Sequence, residues 1–459
     1  MLFVYESWEM KMERNKSGKS KEVPQVPRGM RDFTPQDMCN RTFIIEKIKS
    51  VFLRYGYEPI ETPALEYWET LSGKYGEEGE RLIYRLTDRG GRELGLRYDL
   101  TVPLARFVTN HPEIPRPFKR YQIQPVWRAD KPQKGRYREF YQCDFDIVGV
   151  FDLSADAEIV AVLYDCLVAI GFNKFKIRLN SRKLIRALVE QLGLPLDSEL
   201  PLARAIDKFE RDGFDGVIAE LKNQNLTDEK VSILKRFLSL QGMDFDEVFK
   251  SAKTVLENAP SASEGISELK QLTKYLVRYD INFERIFLDL SLARGLDYYT
   301  GPIFEATVEG AGIGSVSGGG RYDGLLGIFS GQKIPATGAS IGLDRIVTAL
   351  ESLYPETGQK SFIDVLVTRF SDETEDYSYK IASLLRKGGF SVDLYLGDIS
   401  KKGLRGQLGY AQEKAIPFVI IAGPEEMAQE QVKLKIMKSG EQTNISVDSL
   451  PSRLKEIMG

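Results

Sequence analysis

The chain has 459 residues, 42% of them hydrophobic and 28% charged, with a formal net charge of −3. This allows a core of ordinary size in roughly two to four domains, and excludes any bulk electrostatic reason to bind nucleic acid, so an RNA partner would have to meet local basic patches. The three cysteines lack CxxC spacing and argue for a reducing, cytoplasmic setting, while the single histidine, His111, excludes a multi-histidine metal site and any histidine triad it does not itself serve.

The first 26 residues lack the apolar segment of a signal peptide and predict a flexible tail. No apolar run approaches the ~18 residues that a membrane span requires. Thr34-Pro35-Gln36-Asp37 spells a capped helix start. Ile44, Ile48, Val51 and Phe52 continue it at helical spacing to a stop at Gly56. A strand containing Pro63 follows, suited to an edge or a bulge. Next come a hairpin, "LIYRLT" to "LGLRYDL", and an antiparallel pair around 122–127 and 136–147. Helices are expected over 152–171 and, capped by Asn180, beyond it.

Residues 27–193 thus predict one part of a first domain, and the polar, mostly helical stretch 194–280 an insertion into it. Residues 281–355 resume that domain. Within them, "GAGIGSVSGGG" reads as a glycine-rich turn region. The β-α-β-α-β alternation over 361–459 predicts a separate, mostly parallel α/β domain.

The second strand of the antiparallel pair is unusual. Arg136, Arg138, Phe140, Gln142, Asp144 and Asp146 share one face, and Tyr137, Glu139, Tyr141, Cys143, Phe145 and Ile147 share the other. A face this polar could hold a ligand. It could also hold surface ion pairs between Asp144 or Asp146 and the two arginines, which spacing alone favours. Asp99 and Thr101 alternate in "LRYDLTVP" and should share a strand face that, with Gln142 and Asp146, could form an amino-acid pocket. Arg128, Arg294, Arg321 and Arg345 stand among glycines and aromatics, where a planar guanidinium fork suits phosphate or carboxylate. A Walker loop is absent, and the glycine run matches a dinucleotide fingerprint only loosely. Its glycines suit close approach of backbone.

"RADKPQKGRYREFYQCDFDIVG", "LARGLDYYTGPIFE", "SGGGRYDGL" and "GASIGLDRI", with "VPRGMRDFTP" near the start, closely resemble the histidyl-tRNA synthetase family of class II aminoacyl-tRNA synthetases. The resemblance covers nearly the whole chain beyond the tail. The "YQCDFDI" form, with aspartate at 99 and 146 where many bacterial members carry glutamate, resembles the archaeal and eukaryotic branch.

The resemblance implies an α+β fold: an antiparallel catalytic sheet with a helical insertion, plus a C-terminal α/β anticodon-binding domain. It also implies a cytoplasmic homodimer, built through the helix at 35–55 and the strand near Pro63, that joins L-histidine to tRNA(His) using ATP with Mg2+. No resident metal site is implied. By similarity, Arg128 holds the α-phosphate, Phe140 and Arg345 sandwich adenine, and Arg136 and Arg345 reach the γ-phosphate. Asp99, Thr101 and Gln142 would take the histidine ammonium, Asp146 and Tyr299 would read the imidazole, and Tyr322 would close the pocket. Arg294 would bridge the substrate carboxylate and the α-phosphate. Lys401, Lys402 and Arg405 would meet tRNA, or form a solvated helix face. The alternatives are a non-catalytic histidine-sensing regulatory paralogue, a relative charging another amino acid, and a tRNA-sensing module.

Overall fold

The structure is a computed structural model that describes residues 24–132, 135–221, 226–293, 298–355 and 360–458. Most of the expected tail therefore lies outside the described residues. Helix Pro35–Arg54 begins as its spelling predicts: Thr34 accepts the Asp37 N–H at 3.3 Å, and Asp37 accepts the Thr34 N–H at 2.8 Å. Its buried stripe of Ile44, Ile48, Val51 and Phe52 packs on the long buried helix Ser154–Ile170.

Nine strands form the main sheet. They are β1 (Glu58–Pro59), β5 (Phe118–Trp127), β6 (Glu139–Val148), β7 (Phe175–Ser181), β8 (Gln241–Gly242), β9 (Ile286–Asp289), β10 (Pro302–Val308), β11 (Ser317–Arg321) and β12 (Ala336–Gly342). Their order is β1-β5-β6-β12-β11-β10-β7-β9-β8. The pairings β1–β5 and β7–β9 are parallel and the rest antiparallel. A side sheet joins β2 (Leu65–Tyr67), β3 (Arg85–Thr87) and β4 (Glu93–Leu96), the last two being the expected hairpin.

The two-residue period of β5 and β6 sorts their side chains. Tyr121, Cys143, Phe145 and Ile147 face the helical layer, where the Phe52 ring lies 4.9 Å from Phe145 and 5.3 Å from Tyr121. The polar residues are left on the opposite face. Helices between Glu199 and Leu276 bury Leu202, Ile206, Phe237 and Leu269 in the same apolar core, and β8, which lies among them, extends the sheet.

The C-terminal sheet contains β13 (Val365–Val367), β14 (Val392–Leu394), β15 (Phe418–Ile421), β16 (Gln431–Ile436) and β17 (Gln442–Ser446) in the order β14-β13-β15-β16-β17. The first three are parallel, and β16–β17 is an antiparallel hairpin. Apolar clusters cover both its faces, as a parallel centre requires.

Three local expectations are corrected. Asp99 and Thr101 share no strand face: β4 ends at Leu96, and helix Thr101–Asn110 begins two residues after Asp99. Asn180 does not cap the next helix. Ser181 does, accepting the Lys183 N–H at 3.2 Å, while the buried Asn180 amide donates to the carbonyls of Leu290 and Leu292. The Ser317–Arg321 glycines form a strand rather than a turn. A Cβ on Gly319 would lie 2.3 Å from the Gly338 carbonyl oxygen, whereas one on Gly318 would meet nothing nearer than 4.0 Å.

That contrast is testable. Gly319→Ala should lower the urea unfolding midpoint of the sheet domain by the equivalent of about 1–3 kcal/mol, as overpacking does. Gly318→Ala should be neutral or slightly stabilising. Equal effects would contradict the close approach of β11 and β12.

Candidate active site

The polar face of β6 is the floor of a cavity of about 500 Å³. Ten of the residues to which the resemblance gives site roles line it: Asp99, Thr101, Arg128, Arg136, Phe140, Gln142, Asp146, Tyr299, Tyr322 and Arg345. Register explains part of this convergence. Gln142, Asp144 and Asp146 stand opposite Gln124, Gln122 and Arg120 on β5, and opposite Gly342, Ser340 and Gly338 on β12. Gly338 is required by shape, since a Cβ there would fall 1.9 Å from Asp146 Oδ1.

Burial decides against the surface ion pairs that spacing favoured. Asp144 is 2% exposed and Asp146 3%. Arg138 instead donates to the carbonyls of Asp130 (3.1 Å) and Arg28 (3.3 Å). Asp146 is paired from behind by the fully buried Arg120, at 2.6 Å, and accepts the Tyr322 hydroxyl. Arg120 went unnoticed in the sequence, although Arg120, Gln122 and Gln124 repeat the polar alternation of β6. Asp99 Oδ1 accepts the Tyr75 hydroxyl at 3.0 Å and the N–H groups of Thr101 (3.2 Å) and Val102 (3.0 Å), so Asp99 anchors the start of the helix.

Burial also sets the charge of the floor. Desolvation pushes the carboxyls of Asp99 and Asp146 up, outweighing Arg128 beside the first and Arg120 beside the second. It pushes Asp144 up to about 7, with Arg120 opposing the rise and Asp146 adding to it. The Tyr299 phenol, buried near the same acids, is raised as well. Among the described residues, Asp99 Oδ2, Gln142 Oε1 and Asp144 Oδ1 are buried acceptors with no donor. Gln142 Nε2 donates to Ser340 Oγ at 2.7 Å. A cavity lined by acceptors without donors suits a cationic, hydrogen-bond-donating group.

The other half of the cavity is cationic and aromatic. Arg128 Nε donates to the Tyr98 carbonyl at 3.1 Å, and its guanidinium lies 4.2 Å from the Tyr98 ring centre and 5.2 Å from that of Phe140. Arg345 donates to the Ser315 carbonyl from the first turn of helix Leu343–Leu353. Its neighbour Asp344, not singled out in the sequence, ties this helix to distant parts of the chain. Asp344 Oδ2 accepts the Tyr141 N–H of β6 at 3.1 Å, and Oδ1 pairs with Arg41 at 2.6 Å and with Arg31. Arg31 lies 3.3 Å from the Tyr137 ring centre, and Tyr137 also lines the cavity. Asp344 thus fixes the elements bearing Phe140 and Arg345 relative to each other.

Other expected site residues stand elsewhere. Arg294 lies outside the described residues, as does the side chain of Lys402. Lys401 and Arg405 are exposed on helix Ile399–Glu413 beside the C-terminal sheet and do not line the cavity; Lys401 pairs with Asp398 at 3.1 Å. Arg321 is turned away into a buried pair with Asp156.

Comparison with known proteins places this geometry in context. The family model described as Histidyl-tRNA synthetase matches residues 29–346, and that described as Anticodon binding domain matches residues 361–457. The chain is 41% identical over 446 residues to a histidine–tRNA ligase of Gloeobacter violaceus, covering 91% of this chain and 95% of the relative. It is 44% identical over 406 residues to one of Aeropyrum pernix, covering 88% and 91%. The crystal structure of histidyl-tRNA synthetase from Nostoc sp. PCC 7120 superposes with a TM-score of 0.84 at 30% identity, covering 95% of this chain and all of that one. Bacterial relatives are prominent among these, so the comparisons lend the archaeal and eukaryotic branch no support.

The pair beneath the floor generates a prediction. Arg120→Met leaves Asp146 buried without its countercharge and should cost about 3–5 kcal/mol of stability at pH 8. A carboxyl whose folded pKa lies above its unfolded value takes up a proton on folding, so its penalty fades as pH falls through the folded pKa. Denaturant unfolding should therefore show a smaller loss at pH 5 than at pH 8. The same loss at both would contradict the pairing.

Proposed function

The chain belongs to the histidyl-tRNA synthetase family, and on that premise we propose that it joins L-histidine to tRNA(His), using ATP, through a histidyl-adenylate. The observation that carries this reading is the two-part cavity, in which acceptors without donors lie beside arginines and aromatic rings on one sheet surface. Asp99 and Gln142 receive the histidine ammonium beside Thr101. Asp146, held by Arg120, and Tyr299 read the imidazole, and Tyr322 closes the pocket while orienting Asp146. Phe140 and Arg345 sandwich adenine, Arg136 and Arg345 reach the γ-phosphate, and Arg128 holds the α-phosphate. Arg294 keeps the bridging role that the resemblance implies.

The chemistry needs no general base. The histidine carboxylate is already ionised at neutral pH. One of its oxygens bonds to the α-phosphorus as the bond to pyrophosphate breaks. Two anions must meet and charge spreads over the phosphoryl oxygens, so catalysis consists of positioning and fixed positive charge. A hydroxyl of the terminal tRNA ribose then attacks the adenylate carbonyl, and AMP leaves. Magnesium bound with ATP would neutralise charge on its β- and γ-phosphates. Held in this way, the ion would travel with the phosphates. A site that pairs both imidazole nitrogens can reject analogues by about 10⁴–10⁵ without editing.

The C-terminal sheet domain, residues 361–459, is the anticodon-binding part of this reading, with Lys401, Lys402 and Arg405 on its tRNA side. Residues 27–193 and 281–355 form the catalytic domain and 194–280 its insertion. The exposed apolar side chains of Leu53, Leu65 and Tyr67 support a homodimer built through helix Pro35–Arg54 and the segment after it. Buried free cysteines suit a cytoplasmic setting. Relatives named histidine–tRNA ligase over most of the chain favour this reading over the regulatory paralogue.

Histidine-dependent exchange of pyrophosphate into ATP, followed by charging of a tRNA(His) transcript, tests the proposal. Exchange should occur with histidine and not with threonine or proline. Histidine binding without exchange would favour the regulatory alternative. Arg128→Ala should lower the exchange kcat by about 10²–10³. Asp344→Ala, which frees the Arg345 helix from β6, should raise the KM for ATP while leaving that for histidine nearly unchanged. Equal increases in both would contradict its placement on the nucleotide side.

A further inference from the structure

A buried polar atom without a partner is costly unless something arrives to meet it. Apart from Asp146 Oδ2, which Arg120 faces at 2.6 Å, the cavity floor holds three such carboxylate or amide oxygens: Asp99 Oδ2, Gln142 Oε1 and Asp144 Oδ1. Two belong to residues already given to the amino-acid ammonium. The third does not. Asp144 lies on β6 midway between Gln142 and Asp146, on their face, and is 2% exposed. The Ser340 hydroxyl bonds to its carboxylate, yet Oδ1 remains without a donor. Gln122, opposite on β5, spends its amide on Thr62 Oγ1 at 2.9 Å and on Gln124. Arg120 is paired with Asp146.

We propose that Asp144 is a third anchor for the substrate ammonium, completing with Asp99 and Gln142 a cradle of three acceptors for its three N–H donors. This rests on the reading of the cavity as an amino-acid site. The count agrees with the donor inventory of a primary ammonium. Thr101, expected in this set, donates its backbone N–H to Asp99 and so also orients that anchor.

The charges facing Asp144 make the anchor sensitive to pH. Arg120 on β5 and Arg97 on the loop after β4 oppose Asp146 on its own strand and Asp99 before helix Thr101–Asn110, and the Tyr299 phenol faces the same acids. Arg97 is itself held by the carbonyls of Thr62 (2.7 Å) and Pro125 (2.9 Å). The floor therefore carries an excess of carboxylate that a cation relieves. With Asp144 pushed up to about 7, a cation binds its ionised form, and below that pH binding must also expel a proton. Affinity for the ammonium should fall as pH falls.

The test is pyrophosphate exchange from pH 6 to pH 8.5 with wild type, D144N and D144E, varying histidine and ATP separately. Binding of 3-(imidazol-4-yl)propionate, which lacks the ammonium, is measured alongside. D144N should raise the KM for histidine by about 10- to 100-fold at pH 8, as loss of a charged hydrogen bond does. The gap between D144N and wild type should narrow towards pH 6, while the KM for ATP and the affinity for the propionate stay within about twofold. D144E should recover part of the loss. An unchanged KM for histidine, or an equal loss of affinity for ATP or for the propionate, would overturn the inference. Absence of histidine-dependent exchange in the wild type would overturn the amino-acid reading, and this inference with it.

Discussion

Three carboxylates, Asp99, Asp144 and Asp146, are buried in one cavity floor, and Arg120 pairs directly with the last of them. Desolvation works against each of these charges, and the surrounding structure is shaped by how they are held. Gly338 leaves space for Asp146, the Tyr322 hydroxyl and Arg120 fix its two oxygens, and the turn into helix Thr101–Asn110 uses Asp99 as its anchor. What remains unpartnered faces the cavity. The floor is thus preorganised for a cation.

The cationic half answers a different problem. Arginines gathered in one cavity repel one another and need fixed supports. Arg128 is braced by the Tyr98 carbonyl and ring, and Arg345 by the Ser315 carbonyl. Asp344 joins the elements bearing Phe140 and Arg345 and is itself paired with Arg31 and Arg41. Arg41 belongs to helix Pro35–Arg54, the element assigned to the proposed dimer, so this network links that helix physically to the cationic half of the cavity.

Much of this was legible in order and period. The polar face of β6 stood out because a strand places alternate residues on one side, and the capping box at Thr34 because its residues are local. Asp99 was misplaced because the alternation of Asp99 and Thr101 in "LRYDLTVP" reads as a strand running to Pro103. In the first turn, though, a proline gives up an N–H that has no intrahelical partner, and the helix keeps it. Asp144 and Asp146 suggested surface pairs because Arg136 and Arg138 are near in sequence; backbone carbonyls take up Arg138, and Arg120 on the neighbouring strand takes Asp146. The Asp344 pairs join residues more than 300 positions apart, which no local pattern can reveal.

The central claim is that this one sheet surface holds an amino acid's ammonium on its acids and a nucleotide on its arginines. A crystal structure with histidinol and ATP bound tests it most directly. The account predicts the histidinol nitrogen within about 3 Å of the Asp99, Gln142 and Asp144 oxygens, and adenine between Phe140 and Arg345. Ligands lodged away from the floor of β6, or an ammonium turned from those acceptors, would contradict it.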